Sequence, residues 1–370
     1  LTPLADQFPA TSAEAYAQEL YPLGLTVDDQ TWTVELTHHV PDELLFGDGY
    51  AFLTGSSPAL KTYFENYAEW VAERYDHLFP QGVCEIACND GTLLQHFNHT
   101  RHLGIDPAKP AITEAKRKGL STAHMAFDND TAHDIEEPFG VVIANNVAAH
   151  ASSLEDFLAG VAYLIRDGGV GIIEFQYVGD LLSDALWTVV YHEHRRFLSL
   201  TSFMAACPDE MHVVDVLRTP TQGGSLRVVV NTTSGNPSGA VLDLLEKEAW
   251  LCRLDTYTSL QGRVDYQVDR LWSALENLGT MTLYGAPAKA TTLVHYAGLV
   301  NMIDYAEDLT PGKIDRYLPG TDILVVKPGT HSRPSAYLVA IDNYLSSTLS
   351  RESTFLADGG RFVLPNGKVI

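Results

Sequence analysis

The sequence predicts an α/β protein in three parts: a small N-terminal domain over residues 1–75, a central domain over 76–235 with a mostly parallel seven-stranded sheet, and a C-terminal α/β domain over 236–370. Three observations carry this. Between about 80 and 233, apolar runs of strand length alternate with helical patterns, as in a parallel sheet. Within that region VCEIACNDGTLLQHF (83–97) and HLGID (102–106) read as strand, tight turn, helix, strand, acid. After a long helical stretch, MTLYGAPAKATTLVHYAGL (281–299) repeats the order strand, glycine turn, helix.

The elements follow in chain order. TWTVELTHHV (31–40) alternates like a strand, residues 50–57 form a polar and aromatic loop, and SPALKTYFENYAEWVAERY (57–75) has helical spacing. The central strands are VCEIA, HLGID, GVVIANN, GVGIIEFQ, HVVDVLR and SLRVVVN. The first four are separated by helices and the last two lie close together, so an antiparallel pair should end the parallel sheet. SGNPSG (234–239) is a linker, and the helical stretch beyond it should break near Gly262. TDILVVK, AYLVAID and RFVLPN supply later strands.

Composition narrows the function classes. The formal charge of −23, from 47 acids and 24 bases, disfavours a nucleic-acid binder, which needs a basic footprint. No segment has the apolar length of a membrane span, and LTPLADQFPA lacks the pattern of a signal peptide. Cys84, Cys88, Cys207 and Cys252 form no C-x-x-C pair and suit a reduced cytoplasmic setting.

Two clusters carry chemistry. The first is the strand–turn–strand unit. Glu85 lies inside a buried strand, which is unusual for a carboxylate. Asn89, Asp90 and Gly91 make a turn, so the backbone at Ala87 and Gly91 should pass close to a ligand. Asp106 ends the second strand, where doubly wound folds hold ribose hydroxyls. Ala87, Asn89 and Leu94 break the G-x-G-x-x-G pattern, which points away from NAD and toward S-adenosylmethionine. Asp128 is expected at the adenine amino group, Asn145 beneath the methionine part and Glu85 near its amino-acid end. The plain alternative is an ordinary α/β turn with a hydrated Asp. The second cluster is YHEH (191–194), which sets a phenol, a carboxylate and two imidazoles between apolar flanks. Such groups exchange protons near neutral pH. The plain alternative is a solvated helix end.

Several ordered motifs resemble one family, the S-adenosylmethionine-dependent C-methyltransferases that act on nucleotide-linked keto-deoxysugars in antibiotic biosynthesis. EIACNDGTLL (85–94) is similar to the family's E-I-G-S-N-D-G-T-L-L loop. Asn146-Val147 with Ala149-His150, Glu174 with Tyr177 and Asp180-Leu181-Leu182, YHEH followed by Phe197 and Ser199-Leu200, GGSLR (223–227), YGAPAK (284–289) and YLPGT (317–321) match further motifs. The resemblance implies a central Rossmann-like methyltransferase domain between two domains that enclose the acceptor. It implies His194 as the base that removes a proton beside a ketone. Tyr191 and Tyr50 would serve the resulting enolate oxygen, Glu193 would hold an imidazole or a sugar hydroxyl, and His150 would assist. His192 is expected to be structural. Arg227 and Lys289 are candidate phosphate contacts, and the Tyr284-Gly285-Ala286 turn opening a helix suits an anion. One departure stands out. The family's N-terminal module carries two cysteine pairs for structural zinc, whereas no cysteine precedes Cys84 here, and Asp28 and Thr31 stand where the second pair would fall. The chain is therefore expected to be zinc-free. The same scaffold also serves N- or O-methylation of another small acceptor, or a silent S-adenosylmethionine-binding partner.

Overall fold

Runs of β-branched and small apolar residues leave the inner strands of the central sheet no exposed face. The computed structural model describes residues 1–46, 52–233, 235–276, 278–341 and 345–370. Its strands are β1 (Leu25–Val27), β2 (Val34–Leu36), β3 (Val83–Ile86), β4 (His102–Asp106), β5 (Thr122–His124), β6 (Phe139–Asn145), β7 (Ile165–Gln176), β8 (Arg196–Phe197), β9 (His212–Thr219), β10 (Ser225–Asn231), β11 (Met281–Tyr284), β12 (Ile303–Glu307), β13 (Leu324–Val326), β14 (Ala336–Val339) and β15 (Arg361–Val363).

The central sheet has the order β5-β4-β3-β6-β7-β10-β9. The five strands β5-β4-β3-β6-β7 run parallel, and β10 is antiparallel to both β7 and β9. The antiparallel end expected from the sequence is present. The chain moves outward from β3 to β5, then returns to β6 on the other side of β3. That reversal opens a crevice at the carboxyl ends of β3, β4 and β6, where ligands bind in such sheets.

The helix expected after the Asn89–Gly91 turn is only one 3-10 turn, Leu94–Phe97. Local side-chain bonds compete with it: Thr92 Oγ1 donates to Asp90 and Gln95 Nε2 to the Thr92 carbonyl. The layer is covered instead by the helix Pro58–Tyr75, whose Ser57 cap accepts the Leu60 N–H. Its Phe64, Tyr67, Ala68 and Val71 bury against Val83, Leu93, Val141, Ile143 and Ile172 of the central domain. In the C-terminal domain, Gly262 does not break a helix. It lies within the helix Leu260–Leu275, and the interruptions fall at Cys252-Arg253 and Ser259. A glycine facing open space costs such a helix only about 1 kcal/mol.

Two further sheets hold the flanks. The N-terminal sheet has the order β1-β2-β8, so the segment following YHEH supplies its third strand, with Glu35 opposite Arg196. Residues 28–33 form a turn closed by Asp28, whose Oδ1 accepts the N–H groups of Gln30 and Thr31 at 2.8 Å each. The C-terminal sheet is wholly parallel, in the order β13-β12-β11-β14-β15. It is a second doubly wound unit, with its own reversal between β11 and β14. Its strand β12 escapes the sequence pattern because Asp304 and Glu307 make IDYAE read as polar. Among the described residues no helix is long and apolar enough to cross a membrane.

Candidate functional site

The first half of the site grows from the ends of β3, β4 and β6. Beyond β3, Ala87 (φ 56°) and Asn89 (φ 49°) adopt left-handed backbone conformations that non-glycine residues rarely take. The turn is held by Asp106, which accepts the Asn89 N–H at 2.9 Å and the Ala108 N–H at 2.7 Å. Burial raises the Asp106 carboxyl above its ordinary range, and those two N–H groups pull it back. Gly91 (φ 71°) serves the turn and close packing, because a side chain there would collide with Leu120. Residues 52–55 lie across this turn: Asn89 donates to the Phe52 carbonyl and accepts from Thr54, and Asp90 accepts from Gly55.

Two residues of the strands that frame this crevice carry unpaired buried polar atoms. Both polar atoms of the Asn145 amide, at the end of β6, are buried without a hydrogen bond, as is Glu85 Oε2. Buried polar groups are normally satisfied, so unpaired ones beside a strained turn suit a polar ligand. Burial drives the Glu85 carboxyl well above its ordinary range, and Asp90 and Asp106 add to the effect. A cationic sulfonium ligand with ribose hydroxyls and an amino-acid tail fits this donor set. Asp128 is committed locally: it caps the helix Asn129–His133 by accepting from Thr131, and an adenine contact would have to share that carboxylate.

The second half is the YHEH segment. His194 Nδ1 lies 2.9 Å from the Val189 carbonyl, which can only accept, so the proton sits on Nδ1. The Nε2 lone pair then accepts the Tyr191 hydroxyl at 2.8 Å. Burial pulls the His194 imidazole down to about 4, which leaves it neutral at pH 7. The same cause, joined by the charges of Glu193 and Asp6, raises the Tyr191 phenol well above its usual value. His150 stands with its ring centroid 5.2 Å from that of His194 and stacks on Phe46. It too is held neutral by burial. The loop after β6 thus carries Asn145 at one end and His150 at the other. His192 is buried with Nε2 against the Pro22 carbonyl and points away from this pair.

Arg195 and Arg196 were not singled out in the sequence, and both anchor the segment. Arg195 donates to the Val40 carbonyl and pairs with Asp42, and Arg196 holds Glu35 and the Ala151 carbonyl. Two consecutive arginines inside an apolar run were the available signal. From the C-terminal domain, Thr292 Oγ1 donates to the Val190 carbonyl at 2.8 Å.

The expected acceptor residues scatter. Arg227 is buried and paired with Glu174 at 2.9 Å, bonded to the Tyr63 hydroxyl and stacked over Tyr67. A guanidinium so neutralised presents no free charge to a phosphate. Lys289 is buried near the start of the helix Ala288–Tyr296 and lines a hollow of about 150 Å³ with Thr188, Val189, Gln222 and Gly223. This hollow adjoins the Val189 carbonyl that fixes His194. A larger cavity of about 470 Å³ opens at the amino ends of β4 and β6, away from the chemistry. Tyr284 donates to Glu352 and accepts from Arg351. Gly285 (φ 88°) has no room for a side chain beside Ile341. Asp308, just past β12, accepts the Ala286 and Thr310 N–H groups, as Asp106 accepts those of Asn89 and Ala108. Tyr50 lies outside the described residues.

The strand order, the acid at the end of β4 and the crevice beside β3 define an S-adenosylmethionine-dependent methyltransferase. Residues 220–366 match the family described as C-methyltransferase C-terminal domain, and residues 84–170 match the methyltransferase domain family. The chain is 27% identical to C-methyltransferase NovU from Streptomyces niveus, over 98% of this chain and 90% of that protein. An S-adenosylmethionine-dependent methyltransferase of Clostridium acetobutylicum ATCC 824 is 13% identical with a TM-score of 0.36, over 46% of this chain and 92% of that one. A protein of Pyrococcus horikoshii OT3 is 14% identical with a TM-score of 0.40, over 50% and 95%. The fold assignment rests on the strand order rather than on these two.

Proposed function

We propose that this methyltransferase adds a methyl group to the carbon beside a ketone in a nucleotide-linked deoxysugar of natural-product biosynthesis, through an enolate made by its own base. One observation carries the reading: a neutral imidazole whose free lone pair meets a phenol, on a segment tied to the cofactor crevice by the loop 145–150. Heteroatom methylation of an amine or hydroxyl has less need of such a base. Two further observations support it. The C-terminal domain repeats at Asp308 the hydrogen bonding of Asp106, which suits a second nucleoside-like ligand. The chain is also similar to NovU, a C-methyltransferase.

When bound, S-adenosylmethionine supplies an electrophilic methyl group on a sulfonium. The chain's residues do the rest. Asp106, Asn145 and Glu85 hold the cofactor. Tyr191 receives the acceptor's α proton as its own hydroxyl proton passes to His194 Nε2, which becomes imidazolium, with the Val189 carbonyl bonded to Nδ1–H. The electron pair of the acceptor's broken C–H bond is left in the enolate, whose carbon would be the atom that takes the methyl group. Alignment at van der Waals distance supplies much of the rate. Lys289 and the hollow beside Val189 are assigned to the acceptor.

The test is incubation with S-adenosylmethionine and a panel of nucleotide-linked keto-deoxysugars, with NMR to locate the new methyl. A carbon-bound methyl next to the ketone supports the proposal. A methyl on nitrogen or oxygen moves the function to heteroatom transfer.

A further inference from the structure

The reaction proposed above needs two things at one carbon: a base to take its proton and a donor to supply the methyl group. The chain holds them on different pieces. The cofactor side is built on the ends of β3, β4 and β6, and the base lies on the segment 189–194. That segment is self-contained: His194 is bonded to the Val189 carbonyl and the Tyr191 hydroxyl, and its N–H donates to the Tyr191 carbonyl at 3.0 Å. None of those bonds sets its distance from the cofactor strand.

The two residues that follow His194 make the link. Arg196 grips the loop after β6 three times. Its N–H donates to the Ala149 carbonyl at 3.3 Å, and its guanidinium donates to the Ala151 carbonyl at 2.6 Å and the Ser152 carbonyl at 3.3 Å. Its Nε donates to Glu35 of β2 at 3.2 Å. Arg195 donates to the Ser152 hydroxyl at 3.1 Å and to the Val40 carbonyl at 2.6 Å, and it pairs with Asp42, which also accepts from the Ser152 hydroxyl. These contacts bracket His150 on both sides, and Phe46, at the end of the short helix Asp42–Leu45, stacks on its ring. The N-terminal segment reaches the C-terminal domain elsewhere, through Asp6, which accepts from Lys313 at 2.7 Å.

We propose that Arg195 and Arg196 are positioning residues that set the base in register with the methyl donor, by clipping the segment 189–194 to the loop that leads from Asn145 at the end of β6. The proposal rests on the reading of His194 as the base. Burying two guanidiniums, 5% and 4% exposed, is a poor route to stability, because desolvation offsets much of the attraction to their partners. It is a good route to fixed geometry, since one planar fork holds two carbonyls and a carboxylate at once, which a lysine cannot do. Arg195 even leaves its Nε buried without a partner, a cost that apolar packing avoids. Register matters in such a reaction: a misplacement of about 1 Å can cost on the order of 10²-fold in rate.

Arg196→Lys keeps the charge and loses the fork. With S-adenosylhomocysteine bound, exchange of the acceptor's α proton with D₂O should stay close to wild type, because His194, Tyr191 and Val189 keep their own bonds. Methyl transfer from S-adenosylmethionine should fall by on the order of 10²-fold, with the acceptor's KM near its wild-type value. A merely structural role predicts a lower melting temperature with transfer unchanged in the folded protein, and that result overturns the proposal. Equal losses of exchange and transfer also overturn it, because the arginines would then shape the base itself. A second arm needs no acceptor. In histidine-labelled protein, the nuclear Overhauser contact between the His150 and His194 rings, whose centroids are 5.2 Å apart, should be present in wild type and weakened in Arg196→Lys. An unchanged contact overturns the proposal. If wild-type protein exchanges no α proton, the base reading fails by itself. The ring contact and the rate of transfer to the acceptor then decide the link alone, and a lost contact with transfer intact overturns it. If Arg196→Lys fails to fold, Ser152→Ala carries the same comparison, with a smaller loss of transfer, because it removes one Arg195 contact and leaves both guanidiniums.

Discussion

Replacing His194 with Asn removes the base while keeping a polar side chain of similar reach. The structure sets the expected size of the effect. The Nε2 lone pair is 2.8 Å from the Tyr191 hydroxyl and Nδ1 is 2.9 Å from the Val189 carbonyl, so the imidazole is already aligned and tautomerically fixed. A positioned general base is typically worth about 10²–10⁴-fold, or roughly 3–5 kcal/mol of barrier. Turnover of His194→Asn should fall by at least the lower figure, with the affinity for S-adenosylmethionine nearly intact. Tyr191→Phe should fall by a comparable amount. The double variant should be no worse than the weaker single one, because the two residues act as one relay. The assay is exchange of the acceptor's α proton with D₂O in the presence of S-adenosylhomocysteine, which isolates proton removal from methyl transfer. Exchange at the wild-type rate in His194→Asn would refute the assignment, and His150, whose ring lies beside it, becomes the candidate. Full exchange in Tyr191→Phe with none in His194→Asn would remove the phenol from the relay.

Other consequences are testable in the same preparations. His194 is neutral because burial lowers its pKa to about 4, so the acid limb of kcat/KM should lie well below the ordinary histidine value of about 6.5. In stability, a lowered histidine pKa means that the unfolded chain binds the extra proton. The His194 penalty is absent above about pH 6.5 and grows to roughly 3 kcal/mol as pH falls toward 4, so acid unfolding should be milder in His194→Asn. Asp106→Ala should weaken S-adenosylmethionine by roughly 1.5–3 kcal/mol by calorimetry and also lower the melting temperature, because Asp106 holds the Asn89 and Ala108 N–H groups as well. Arg227→Met strands the buried Glu174 charge and should cost about 3–5 kcal/mol in denaturant unfolding, with little specific effect on the acceptor's KM. Elemental analysis of protein purified without chelator should find no stoichiometric zinc.

The sequence made the central sheet legible because its inner strands β3, β6 and β10 are buried on both faces and read as apolar runs, whereas the short edge strand β5, Thr122–His124, has no such run and was missed. Asp106 and YHEH stood out for the opposite reason, as polar chemistry set among such runs. What escaped was relational. The helix that covers the cofactor turn is Pro58–Tyr75, recognisable as a helix but not as the partner of Val83 and Ile143. Arg227 sat in a matching motif, yet its role depends on Glu174, Tyr63 and Tyr67, which only folding brings together. Strand β12 was hidden by its acids, and Asp308 with it. The identity of His194 as a candidate base was readable, whereas its tautomer was not, because the Val189 carbonyl fixes it. Asp6 and Lys313 are 307 positions apart, and no local pattern joins them.

The central claim is transfer to a carbon made nucleophilic by loss of a proton. It is tested most directly with S-adenosylmethionine carrying a ¹³C-methyl group and a nucleotide-linked keto-deoxysugar deuterated beside the ketone, followed by NMR of the product. The expected product carries the ¹³C methyl group bonded to that ring carbon, with the deuteron lost to solvent, and His194→Asn forms none of it. A labelled methyl on oxygen or nitrogen with the deuteron retained would contradict it.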